Sequence, residues 1–187
     1  FKDRFFNMTQ SNHNPRLFIE ETIIQGADFY LTQSQTNYVF NVMRLKTGDG
    51  IFLFNGCDGE WIGILEKTGK KNCLITVKEQ VRVQASEPGP WLAFAPIKKM
   101  RTNFIVEKAT ELGAQHLCPV FTQNTNSVRI KTTRMHMHAI EASEQCHRLT
   151  VPKIARPRFL EEFLSWWPKD RRLFLLDESG SGLSIAK

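Results

Sequence analysis

Apolar and polar positions change rhythm once along this chain. Up to about residue 85 the apolar positions come in short runs with period two, separated by tight turns. Arg16-Leu17-Phe18-Ile19 reads as a short strand, and Gly48-Asp49-Gly50 turns the chain into Ile51-Phe52-Leu53-Phe54. Asp58-Gly59 then leads into Glu60–Leu65, and a Lys67–Lys71 loop into Cys73–Lys78. These are hairpin signals. A single helix is expected among them, capped by Ser34 and running to Arg44 with Tyr38, Val39, Val42 and Leu45 inward. Closely spaced strands with one helix predict a small, mostly antiparallel β-barrel.

Ser86-Glu87-Pro88-Gly89-Pro90 is the clearest boundary, and after it strands alternate with helices. Trp91–Ala95 reads as a buried strand, followed by Pro96 and the basic loop Lys98, Lys99, Arg101. A helix capped by Thr102 should follow, with Phe104, Ile105, Ala109 and Leu112 on its inner face and Gly113 as its stop. His116–Phe121 is the next strand, which completes a βαβ unit. Ligands of such sheets lie beyond the carboxyl ends of the strands, where the basic loop sits. Thr132-Thr133 opens another helix, with Met135, Ala139, Ala142 and Cys146 inward. Its outer face carries Glu141, Glu144 and Arg148, the last two as an i, i+4 pair. Phe159–Trp167 is a third helix of this region. Arg172–Leu176 reads as its third strand, closing with Asp177-Glu178.

Charge sharpens this division. The net charge is +6, and residues 84–187 hold 15 Lys/Arg against 10 Asp/Glu, whereas residues 1–83 hold 10 against 9. A polyanionic partner suits the second region. The four cysteines at 57, 73, 118 and 146 form no CxxC pair and read as buried thiols. His136 and His138 point to different helix faces, and His116 and His147 lack a partner spacing, so no metal is expected. Lys108 and Glu111 have the spacing of a surface pair, and the four tryptophans read as packing residues. No phosphate loop, GxGxxG or GxSxG occurs, and no apolar run is long enough to span a membrane. Residues 1–15 read as a disordered leader.

Four stretches, in order, carry a resemblance. They are Arg16-Leu17-Phe18; Val42–Asp49 with Phe54-Asn55-Gly56; Lys98 with Glu107–Gly113; and Glu141–Arg148. Together they resemble the methyltransferases that modify N3 of a uridine in small-subunit (16S) ribosomal RNA, members of the knotted SPOUT superfamily. The resemblance implies a PUA-like RNA-binding barrel over residues 16–85 and a SPOUT-type α/β methyltransferase domain over 90–187. It implies S-adenosyl-L-methionine as cofactor, 16S rRNA in the small ribosomal subunit as partner, a homodimer and a cytoplasmic location. It places Arg16, Arg44, Lys46, Lys99 and Arg101 on the RNA, Lys98 at the reacting base as an anion stabiliser, and Leu176, Asp177 and Glu178 at the cofactor. No side chain stands out as a general base. The family's Arg after the second strand is replaced here by Gln123–Ser127. Its Gly-Pro-Glu-Gly-Gly loop and last helix do not occur in these 187 residues. The protein is therefore expected to continue past Lys187 with the knot and the rest of the cofactor pocket. The alternative is a non-catalytic RNA-binding and dimerising module.

Overall fold

The computed structural model describes residues 14–67, 73–125 and 130–176. Five strands form the first sheet: β1 (Arg16–Phe18), β2 (Asp28–Tyr30), β3 (Gly50–Phe54), β4 (Glu60–Lys67) and β5 (Cys73–Arg82), in the order β1-β3-β4-β5-β2. β3, β4 and β5 form an antiparallel meander, β1 runs parallel to β3, and β2 is antiparallel to β5. Alternation decides which face is buried: Ile51 and Leu53 on β3, and Cys73, Ile75 and Val77 on β5, all point into the core with Leu17, Val39 and Leu65. β2 is too short to leave a periodic signal, and no strand is expected there from the sequence.

The helix of this region departs from the expected one. Thr32, not Ser34, caps α1 (Gln33–Asn37), sharing a reciprocal capping box with Gln35. The backbone then widens into a π-turn over Tyr38–Val42, with the Met43 amide donating to the Tyr38 carbonyl at 2.9 Å. That extra residue rotates the following face, so Val39 stays buried while Val42 turns outward, 61% exposed. Arg44 leaves the turn in the left-handed region at φ 59°.

The second sheet is parallel: β6 (Trp91–Phe94), β7 (His116–Phe121) and β8 (Lys153–Ile154) lie side by side, with β9 (Arg158–Phe159) on β7. Helix α2 (Lys99–Glu111) crosses from β6 to β7, and α3 (Thr132–Gln145) packs against α2. Val106, Ala109, Leu117, Met135 and Ala139 form their shared core. Helix α4 (Leu160–Trp166) sets Phe163 against Cys118 and Val120.

Three expectations fail here for physical reasons. Lys98, not Thr102, is the N-cap of α2. Thr102 lies inside the first turn, buried, its hydroxyl donating to the Ile97 carbonyl and accepting from the Ile97 amide. The helix therefore begins a turn early and buries Thr102, Val106, Ala109 and Thr110, while Phe104 and Leu112 face out. Arg172–Leu176 forms no strand, and Leu173 to Leu176 are all exposed. β8 and β9 occupy the free edge of β7, and the apolar run pairs with no strand among the described residues. Finally, Glu144 and Arg148 are not a solvent-facing pair, because both are buried where the two sheets' layers meet.

That junction is built on arginines. Arg16, 3% exposed, donates from Nε to Glu60 at 2.6 Å, from Nη1 to the Ser143 carbonyl at 2.5 Å and from Nη2 to the Arg148 carbonyl at 2.7 Å. Its guanidinium lies over the Phe54 ring. Arg82 shares Glu60 at 3.0 Å and donates to the His147 carbonyl. The carbonyls that end α3 are thereby capped by cations from the first sheet. Arg148 does the same for α2, donating to the Thr110 and Ala114 carbonyls at 2.9 and 2.8 Å. Glu87, inside the predicted boundary, accepts from the amides of Leu149 and Thr150, the Thr150 hydroxyl and Arg148. Burial opposes charge on Glu87, but these donors outweigh it and hold its pKa below the usual range. A Cβ on Gly89 would stand 2.0 Å from the Gly113 carbonyl oxygen, so the connector is packed against the turn between α2 and β7.

Glu144 makes the junction pH-sensitive. Its carboxylate accepts from the Phe18 amide at 2.9 Å. Burial, seconded by Glu141 and opposed by the Phe18 amide and Arg16, raises its pKa to about 7. The folded protein thus binds this proton more tightly than the unfolded chain, and Glu144's contribution to stability falls as pH rises from about 4.5 to about 7. Glu144→Gln keeps an acceptor for Phe18 without the buried charge. It is expected to raise stability at pH 8 by about 1–3 kcal/mol and to change little at pH 5. Urea unfolding at both pH values reads this, and equal effects at the two would contradict it.

Candidate functional site

A cleft of about 630 Å³ opens between the N-terminal ends of α2 and α3, beyond the carboxyl ends of β6 and β7. The β6–α2 junction brings Lys98, Lys99 and Arg101 to one wall. The start of α3 brings Lys131 and Arg134 to the other. Asn103 and Asn124 also line it, over an apolar floor of Pro96, Ile97, Ile130 and Met135.

Charge balance sets this cleft apart. Among the described residues no carboxylate lines it, and none of its five cations forms an ion pair. Several cations elsewhere are matched: Arg16 and Arg82 to Glu60, Arg148 to Glu87, Lys108 to Glu107 and Glu111, and Arg158 to Glu162; the cleft gathers five unmatched ones in one place. Unneutralised charges converging over a partly apolar concavity raise the local concentration of anions. A flat aromatic ring with a phosphate attached matches both features.

The structure brings together Lys98, Lys99 and Arg101, as the sequence suggested, and adds Lys131, Arg134 and Asn103. The basic run Arg129-Ile130-Lys131 and Arg134 was visible in the sequence, but no periodicity tied it to the first loop. Arg16 is engaged on all sides in the junction and offers no donor to RNA, so the RNA-binding role expected of it is corrected to a structural one. Arg44 and Lys46 are exposed on the first domain and do not line the cleft. Leu176 is 77% exposed outside any strand, and Asp177 and Glu178 lie outside the described residues. His138 faces Glu141 at 3.2 Å, and no three His, Cys, Asp or Glu side chains among the described residues are grouped to hold a metal. Trp91 packs on His116, Trp166 and Trp167, and the Trp61 indole donates to the Asp58 carbonyl, so these rings serve packing. No helix among the described residues is long and apolar enough to cross a membrane.

Residues 87–186 match the RNA methyltransferase domain family, and residues 31–78 match the RNA methyltransferase PUA domain. The chain belongs to the RNA methyltransferase family. Its cleft thus lies in the domain that gives the family its name, and the PUA match spans α1, β3, β4 and the first part of β5. The chain is 31% identical over 150 residues to the ribosomal RNA small subunit methyltransferase E of Rickettsia conorii, covering 80% of this chain and 62% of that protein. It is 32% identical over 154 residues to the enzyme of the same name from Synechocystis, covering 80% and 50%. The chain therefore spans half to three-fifths of the length of these relatives. The fold is similar to a methyltransferase E of Neisseria gonorrhoeae solved with S-adenosyl methionine, with TM-score 0.75, 24% identity, and coverage of 84% of this chain and 67% of that one. It is similar also to a Legionella pneumophila methyltransferase, with TM-score 0.74, 22% identity and coverage of 86% and 69%.

Proposed function

We propose that this chain serves S-adenosyl-L-methionine-dependent methylation of N3 of a uridine in 16S rRNA, the cleft holding the nucleotide. The observation that carries the reading is the set of five cations around one concave site that no carboxylate lines among the described residues. The methyl donor supplies an electrophilic methyl group. The described cleft does not suit the donor itself, because a sulfonium cation would meet five unpaired positive charges. The donor is assigned to the region of Leu176, Asp177 and Glu178.

The chain's own residues act on the RNA. The N3–H of uracil is a weak acid, roughly two units from ionising at pH 7, a cost of about 2.7 kcal/mol. Positive charge fixed beside the ring oxygens lowers it. Lys98, at the mouth of the cleft, is assigned this role, and Lys99 and Arg101 the neighbouring phosphates. Arg44 and Lys46 extend the RNA surface onto the PUA domain. A SPOUT-type knot and a cytoplasmic location accompany this reading. So does a homodimer, supported by the exposed stripe Met100, Phe104 and Leu112 on α2. A monomer by sedimentation at micromolar concentration would remove the dimer.

The test is single-turnover methyl transfer by the complete protein to small-subunit rRNA, with the modified nucleoside identified by mass spectrometry. The expected product is N3-methyluridine, and Lys98→Ala lowers the saturated rate about a hundredfold. A different product, or an RNA that binds without being methylated, would contradict the reading.

A further inference from the structure

Two residues that face each other across the cleft are joined in a way the other arginines are not. Asn103 on α2 and Arg134 on α3 both line it. The Asn103 amide is assigned with its oxygen accepting from Arg134 Nη2 at 3.1 Å and His138 Nε2 at 3.1 Å, while its NH₂ group donates to the Lys99 carbonyl at 3.2 Å. Behind it, His138 Nδ1 stands 3.2 Å from Glu141 Oε2. Lys131, Arg134, His138 and Glu141 recur every three or four residues, so they share one stripe of α3. Asn103 enters that stripe between Arg134 and His138.

A carboxylate in the place of Asn103 would orient Arg134 more strongly and cancel its charge. An amide oxygen orients it and leaves the charge intact. Arg16, Arg82, Arg148 and Arg158 all rest on carboxylates; Arg134 rests on an amide. Its remaining N–H donors have no partner among the described residues. A planar fork held at one nitrogen loses less freedom on binding than the lysines around it.

We propose that Arg134 receives an anionic oxygen of the bound nucleotide, and that Asn103 and His138 are positioning residues that hold its guanidinium over the cleft. The proposal rests on the reading that this cleft binds RNA. The oxygen belongs either to a phosphodiester or to the target uracil as its charge develops.

The experiment is equilibrium binding of the full chain to a small-subunit rRNA fragment by fluorescence anisotropy, beside thermal unfolding of each variant. Arg134→Ala is expected to weaken binding about tenfold. Asn103→Ala weakens it less, and the double variant is no worse than Arg134→Ala alone, since one residue acts through the other. Asn103→Asp binds as poorly as Arg134→Ala with a melting temperature unchanged or raised, a combination that a purely structural role would not give. A salt slope reduced by about 0.7–0.9 in Arg134→Ala identifies a phosphate. An Arg134→Ala defect that vanishes on RNA lacking the target base identifies the uracil. Additive losses in the double variant, or wild-type binding by Asn103→Asp, overturn the proposal. If neither Arg134→Ala nor Lys131→Ala changes binding, the cleft is not the RNA site, and the reading falls with the inference.

Discussion

Arg16→Ala is expected to destabilise the protein by about 3–5 kcal/mol, measured by urea unfolding, and to leave RNA affinity of the folded fraction unchanged. Removing this side chain leaves the buried Glu60 carboxylate with Arg82 alone, and it strips donors from the Ser143 and Arg148 carbonyls. A domain stable by about 5–15 kcal/mol loses a large share of that margin. Arg16→Lys should fare little better, because one ammonium cannot span a carboxylate and two carbonyls that a planar fork reaches together. A loss under about 1 kcal/mol for Arg16→Ala would contradict the junction described. So would weakened RNA binding by a variant as stable as the parent, which would return Arg16 to the RNA surface.

Arg16 also shows where the sequence stops being legible. Its position was conspicuous, but a lone arginine opening a short strand reads equally as a phosphate contact or a buried clamp. Its partners lie 44 and about 130 residues away, in Glu60 and the end of α3. Only the packed structure brings them together. Elements that depend on local period were legible: β3 and β5 through their alternation, the inner face of α3 through Met135, Ala139 and Ala142, and the stop of α2 through Gly113 at φ 87°. Features that break the period were not. The π-turn at Tyr38–Val42 shifts a face by one residue, and buried Thr102 and Thr110 hide in a helix whose larger apolar residues point outward. Arg172–Leu176 has the composition of a strand, but a strand also needs a paired neighbour, and this run has none among the described residues. The cleft was half legible. Its first wall is a compact basic loop after β6, whereas its second wall comes from a helix some 30 residues further on.

The second large effect is expected from that cleft. Replacing Lys98, Lys99 and Lys131 together by Ala should lower affinity for small-subunit rRNA by about a hundredfold at about 100 mM salt, with little change in stability because none of the three forms an ion pair among the described residues. Each phosphate left without its lysine takes about 0.7–0.9 from the slope of log affinity against log salt, so the triple variant should fall by about two units of slope. A matched control, with exposed Lys78, Lys169 and Arg172 replaced by Ala, removes the same net charge away from the cleft and should change the slope far less. The decisive measurement is therefore the salt dependence of rRNA binding for wild type, cleft variant and control. A slope reduced by about two units in the cleft variant alone is what five unpaired cations around one site predict. Equal slopes for cleft variant and control would mean that RNA responds to the overall charge of the protein, and would contradict the assignment of the cleft.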